Sequence, residues 1–174
     1  TDIGLLPVET PIDGNMPSFV SENLSNIPVI ATVSVTPTFT ANGISCEGIA
    51  KTFQIKVNPK PLINNKFVEI CSEDTFNVEP LNNIDGDVVP NGTVYTWEVL
   101  TPNFNIDGWS NWIDLSIPPT NSISQTLINT TNIPQILVYV VTPVSDALGQ
   151  CAGETFEIEV TVSPRPTLQD KDFV

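Results

Sequence analysis

Residues 26–37 read NIPVIATVSVTP, and residues 132–143 read NIPQILVYVVTP. The likeness extends well past these twelve residues. With one gap before the cysteine, residues 23–61 align with 129–166, and fifteen of the 38 aligned pairs are identical. Asn23/Asn129, Pro28/Pro134, Pro37/Pro143, Cys46/Cys151 and Pro61/Pro166 are among them. A shorter echo sets Phe67-Val68 against Phe173-Val174, again 106 residues on. Similarity at a fixed long spacing marks repeated structural units. The expected division is 1–61 as the closing part of one unit, 62–166 as a complete unit, and 167–174 as the opening of a third. On this reading the chain is an excerpt of a tandem array with a period of about 106 residues.

Within each unit the apolar residues alternate. In TVYTWEVL (93–100), Tyr95, Trp97 and Val99 share one face. In TFEIEVTVSP (155–164), Phe156, Ile158, Val160 and Val162 alternate with Glu157, Glu159 and Thr161, and Phe53, Ile55 and Val57 keep the same parity in the earlier copy. Period-two patterning predicts half-buried strands. A one-residue slip would turn every apolar side chain outward, so the shared parity predicts a buried face in both copies. Strands are expected over 66–71, 74–79, 93–100, 112–117, 122–129, 135–142 and 155–163. Seven short strands with turns between them predict an all-β, two-sheet antiparallel sandwich of immunoglobulin type. Pro28/Pro134 and Pro37/Pro143 should bracket a strand in each copy, because proline cannot donate a ladder hydrogen bond. The joints NPKP (58–61) and SPRP (163–166) favour extended backbone and should hold neighbouring units apart semi-rigidly.

Twenty Asp and Glu against six Lys and Arg give a net charge of −14. That balance argues against nucleic acid and anionic membrane surfaces as partners. The chain has no histidine, the commonest general base and metal ligand. No apolar run approaches the roughly 18 residues of a membrane-spanning helix, so direct membrane insertion is not expected. Neither a nucleophile motif nor a phosphate-binding glycine loop is present, and no enzymatic activity is expected. Glu157 and Glu159 alternate on one strand face, where outward charge guards against edge-to-edge pairing.

Three cysteines remain. Cys71 opens the complete unit, Cys151 lies 80 residues later, and Cys46 is the earlier counterpart of Cys151. The expectation is a Cys71–Cys151 disulfide, with the partner of Cys46 outside the chain. A loop of that length would add about 4 kcal/mol in the chain-entropy treatment and would imply an oxidising compartment. Three buried free thiols are the alternative.

Together ICSEDTFNVEP, GTVYTWEV, SISQTLINTTNIPQILVYVVTP and CAGETFEIEVTVSPRP resemble the PKD-like, immunoglobulin-like repeats of very large Bacteroidota surface proteins, of which the gliding-motility adhesins of flavobacteria are the nearest type. The resemblance covers most of 18–166. It implies a secreted filament of tandem β-sandwiches on the outer face of a Gram-negative outer membrane, exported by type IX secretion. The implied partners are neighbouring repeats of the same polypeptide, outer-membrane anchoring or secretion proteins acting through the parent, and a surface polysaccharide.

Two clusters offer binding chemistry. Trp109 and Trp112 in WSNW could form an aromatic platform for sugar rings; alternatively Trp112 begins an inward-facing strand and Trp109 covers the sandwich end. NNIDGD (82–87) and NFNID (103–107) carry oxygen donors at alternating positions, and Asp85, Asp87, Asn103, Asn105 and Asp107 could hold Ca²⁺. Neither stretch has EF-hand spacing, and Asn-Asp-Gly clusters are commonly turns. No other cofactor is expected. NLS (23–25), NGT (91–93) and NTT (129–131) match the eukaryotic glycan triplet and are discounted in a bacterial surface protein. The function expected is a structural spacer in a surface adhesin involved in adhesion and gliding; the alternatives are a carbohydrate-binding module and an accessory domain of a secreted hydrolase.

Overall fold

The computed structural model describes residues 3–5, 15–113, 120–145 and 150–166. Every regular element among them is a strand. The chain forms two compact units, Thr1–Pro59 and Lys60–Val174.

The first unit holds β1 (Val29–Val35), β2 (Thr38–Ala41), β3 (Ile44–Glu47) and β4 (Lys51–Val57). β1 and β4 pair antiparallel, and β2 and β3 form a hairpin at their end. Asn42 and Gly43 close that hairpin, both at positive φ (51° and 75°). A two-residue Asn-Gly loop of this kind matches the right-handed twist of the flanking strands.

The second unit holds β5 (Lys66–Cys71), β6 (Thr75–Val78), β7 (Val94–Val99), β8 (Ile106–Asp107), β9 (Ile123–Thr126), β10 (Ile128–Asn129), β11 (Gln135–Val144) and β12 (Phe156–Ser163). One layer is a four-stranded sheet in the order β5-β12-β11-β7. The other layer contains the pairs β6–β9 and β8–β10. Phe76 of β6 packs on Tyr139 of β11, ring centroids 5.5 Å apart, and Tyr95 meets Phe156 edge-on at 6.3 Å. Phe76, Ile106, Ile123 and Leu127 from one layer bury against Leu137, Tyr139, Ile158 and Val160 from the other. Tyr95, Trp97 and Val99 all face this core, as the alternation predicts. The result is an all-β sandwich. One pair departs from the antiparallel expectation: β5 runs parallel to β12, Val68 opposite Val160. Parallel neighbours need a long crossover, and the rest of the unit supplies it. The strand expected over 112–117 lies largely outside the described residues; Trp112 itself forms a bridge with Trp97.

The two copies of the repeated sequence pair in one register. β1 meets β4 from Val29↔Val57 to Val35↔Lys51, and β11 meets β12 from Gln135↔Val162 to Val141↔Phe156. Advancing the first strand by 106 and the second by 105 residues turns each of the first seven pairs into one of the second seven. Gly48 N–H donates to Pro37 O at 2.8 Å, and Gly153 N–H donates to Pro143 O at 2.9 Å. Pro143 lies inside β11 rather than at its end. Pairing with β12 has already stopped at Val141↔Phe156, so the missing donor breaks no ladder bond there.

Burial separates the copies. Leu137, Tyr139, Val141, Ile158, Val160 and Val162 are fully buried, whereas Phe53 and Val35 remain 44% and 49% exposed. The expected burial of this face in both copies therefore holds for the second and only weakly for the first, where Val57 alone of Phe53, Ile55 and Val57 is buried. Among the described residues β1 and β4 form a two-stranded sheet. Parity selects the inward face, but a second layer is needed to cover it.

Candidate functional site

Cys71 and Cys151 lie at opposite ends of the sandwich, and Cys46 lies on β3 of the first unit. Cys71 ends β5 and sits opposite Ser163, the last residue of β12. Cys151 precedes β12 and bonds through its carbonyl to Ser145 N–H, beyond the end of β11. The seven steps of about 3.3 Å along β12 put roughly 23 Å between those ends, against about 4–7 Å between the Cα atoms of a disulfide. The expected Cys71–Cys151 bond is corrected accordingly: Cys46, Cys71 and Cys151 are free. The buried-thiol alternative also fails, since Cys46 and Cys71 are exposed and Cys151 is half-buried. Thiol reagent under native conditions should modify Cys46 and Cys71 quickly and Cys151 more slowly, without prior reduction. Recovery of a Cys71–Cys151 linked peptide after non-reducing digestion would contradict this arrangement.

Trp109 and Trp112 are half-buried and pack against the core. The Trp112 ring stacks on Trp97 at 5.7 Å with planes 15° apart. Their backbones exchange hydrogen bonds of 2.8 Å in both directions. Trp97 donates Nε1–H to Ser110 O at 3.0 Å, and Gln125 donates to the same oxygen at 2.8 Å. One face of Trp112 is thus occupied by Trp97, which leaves this ring doing the work of a core residue at the sandwich margin.

The proposed calcium donors are not brought together. Asp85 and Asp87 sit beside Lys66, which faces Ile158 near the start of β12. Asn103 and Asn105 bond to Gln135, which faces Val162 near its other end. Asp107 pairs with Ile128 in the β8–β10 ladder. No cluster of three or more His, Cys, Asp or Glu with metal-holding geometry occurs among the described residues.

At the first of these places an ammonium sits between the carboxylates. Lys66 Nζ is 2.8 Å from Asp87 Oδ2 and 3.1 Å from Asp85 Oδ2. Asp87 Oδ1 accepts from Asn64 N–H at 2.9 Å, and Asn64 Nδ2 donates to Asp85 O at 2.7 Å. The Asp87 side chain is 1% exposed, that of Asp85 68%. Burial alone would lower the Lys66 pKa, but the Asp87 and Asp85 carboxylates outweigh it, and the pKa is raised. The neighbouring Tyr95 phenol is pushed up as well, first by burial and then by the charges of Asp87 and Glu79.

A second polar cluster escaped the sequence reading. Asn129 Nδ2 donates to Ile133 O and Val162 O, both at 2.8 Å, while its Oδ1 accepts from Thr131 N–H and Oγ1 at 2.8 Å. Asn23 repeats the arrangement with Ile27 O, Val57 O and Ser25. Two of the three triplets discounted as glycan sites, NLS (23–25) and NTT (129–131), hold a loop to the end of the following hairpin. The available signal was that Asn23/Asn129 recurs together with a hydroxyl two residues later.

A two-layer buried core, closed at one end by the Asn129 clasp, defines the second unit as a β-sandwich module. The PKD-like domain family model matches residues 68–166, more than half the chain. The chain belongs to the PKD-like domain family, whose members are typically extracellular and generally non-catalytic. The search among curated proteins found no match. Among solved structures, one similar chain is a nucleoside hydrolase-related hypothetical protein from Saccharophagus degradans associated with carbohydrate metabolism. It shares 10% identity and a TM-score of 0.35 over 60% of this chain, which spans 25% of that one, and at this score the likeness carries no argument.

Proposed function

We propose that the chain is a repeat segment of a large secreted cell-surface adhesin, in which each sandwich serves as a spacer of a filament used in surface adhesion and gliding. The observation that carries this reading is the recurrence of one seven-pair register and one asparagine clasp in two successive hairpins. In a tandem array each unit contacts only its neighbours, and 1–61 is then the closing part of a unit whose opening strands cover Phe53 and Val35. The joint favours stiffness. Arg165 of SPRP bonds to Ser72 O and to Asp74 of its own unit, and Gly153 leaves no room for a side chain against Pro61 O. The partners on this reading are adjoining repeats and, through the parent, an outer-membrane anchor.

Small-angle scattering on a chain carrying residues 62–166 three times in tandem, joined by the native SPRP, tests it. The maximum dimension should grow by nearly one sandwich length per added copy. A particle no longer than a compact globule of the same mass would remove the spacer reading.

A further inference from the structure

We propose that Lys66 and Asp87 condense into an intramolecular isopeptide bond, with Asp85 relaying the proton. The inference rests on the geometry of these three side chains and does not depend on the spacer reading.

Lys66 lies on β5, the edge strand of the four-stranded sheet. Asp87 lies in the segment before β7, one residue from the Leu62–Val88 bridge that ties that segment to the chain entering β5. Both partners are thus fixed by backbone pairing rather than by long mobile loops. Asp87 is held further by Asn64 N–H on Oδ1. Its Oδ2 is buried and meets the Lys66 ammonium at 2.8 Å. That nitrogen is the one support this oxygen has among the described residues. Tyr95, buried in the core, lies close enough to feel the Asp87 charge. The titratable groups around it are Asp85 on the same segment, Tyr95 on β7 and, farther off, Glu79.

The step balances without an added reagent. Asp85 takes a proton from the Lys66 ammonium, and the free Nζ electron pair attacks Cγ of Asp87. The Cγ–Oδ2 bond breaks, and that oxygen leaves as water with the relayed proton and a second proton from Nζ. An ammonium and a carboxylate become one amide and one water. In bulk water the ion pair is favoured over the amide. Here the Lys66 nitrogen is held 2.8 Å from Oδ2 of the carboxyl group it attacks, and fixed proximity of this kind raises the effective molarity of the two groups. The exposure of Asp85 suits it to exchange protons with solvent, while the burial of Asp87 keeps water from the new amide. The product would tie the sheet edge to the segment leading into β7, a covalent brace in a unit whose cysteines are free.

The experiment is the intact mass of the purified full chain, followed by peptide mapping. The wild-type chain should be lighter than its sequence by one water, with a branched peptide joining Lys66 to Asp87. Lys66→Arg keeps a cation between the carboxylates but lacks the nucleophile, and should match its own sequence mass. Asp85→Asn should accumulate uncondensed chain. Two outcomes overturn the proposal: a wild-type mass equal to the sequence, or a lost water that maps to a succinimide at Asp85-Gly86 with no branched peptide.

Discussion

Tyr139→Ala should destabilise the second unit by about 3–5 kcal/mol, whereas Val33→Ala, at the matching position of the earlier hairpin, should cost about 1 kcal/mol or less. Tyr139 is fully buried in β11, packs on Phe76, and donates its hydroxyl to Gln125 Oε1 at 2.7 Å. Truncation would open a cavity between the two layers and leave Gln125 without that donor. Val33 occupies the same register slot, opposite Phe53 as Tyr139 is opposite Ile158. It is only half-buried, so there is little to lose. All three tryptophans lie in the second unit, so urea titration followed by their fluorescence reports Tyr139→Ala; amide exchange in β1 reports Val33→Ala. Equal costs at the two positions would show that the first hairpin has a covered face after all. Tyr139→Phe separates the terms, since losing only the hydroxyl should cost about 1 kcal/mol.

What the sequence made legible follows from how local each signal is. Alternation is a property of six or eight consecutive residues, so the inward placement of Tyr95, Trp97, Val99, Phe156 and Ile158 could be read directly. The recurrence of NIP and VTP predicts a recurring hairpin, and the two hairpins share their register. The same alternation cannot report what lies opposite. Phe53 and Ile158 have equal patterning and very different exposure because only the second faces a layer containing Phe76, Ile123 and Leu127.

The candidate sites depended on non-local geometry. Whether Cys71 reaches Cys151 turns on the direction of β5, and spacing along the chain does not carry direction. A parallel β5 carries Cys71 to the far end of β12. The acidic turn at 82–87 shows its oxygen donors in sequence, but the cation it meets is Lys66, brought in by β5 from outside the motif. Trp112 reads as polar-flanked, yet its ring rests on Trp97, fifteen residues earlier. Side-chain pairing across strands, rather than composition, decided each case.

The largest expected effect from a polar side chain is at Asn129. Asn129→Ala should destabilise the second unit by about 2–4 kcal/mol, because each hydrogen-bonding group left buried and unpaired costs about 1–3 kcal/mol. The amide makes four bonds: two donated to Ile133 O and Val162 O, two accepted from Thr131. Val162 O suffers most, since it lies in the core-facing end of β12 and its residue is fully buried. Thr131 and Ile133 are exposed enough for water to replace part of their loss. Ser72 should be little affected, because its Oγ accepts from the Asn129 backbone N–H, which alanine retains. Asn129→Asp should be at least as damaging at neutral pH. The carboxylate keeps the acceptor toward Thr131 but turns a second acceptor against two carbonyls. Asn23→Ala breaks the matching clasp in a more exposed hairpin and should cost about 1 kcal/mol. Thermal melts of the three variants, with exchange protection at β12 as a second readout, would check this order. If Asn129→Ala melts with the wild type, the clasp contributes no net stability, and its recurrence in both copies needs another physical reason.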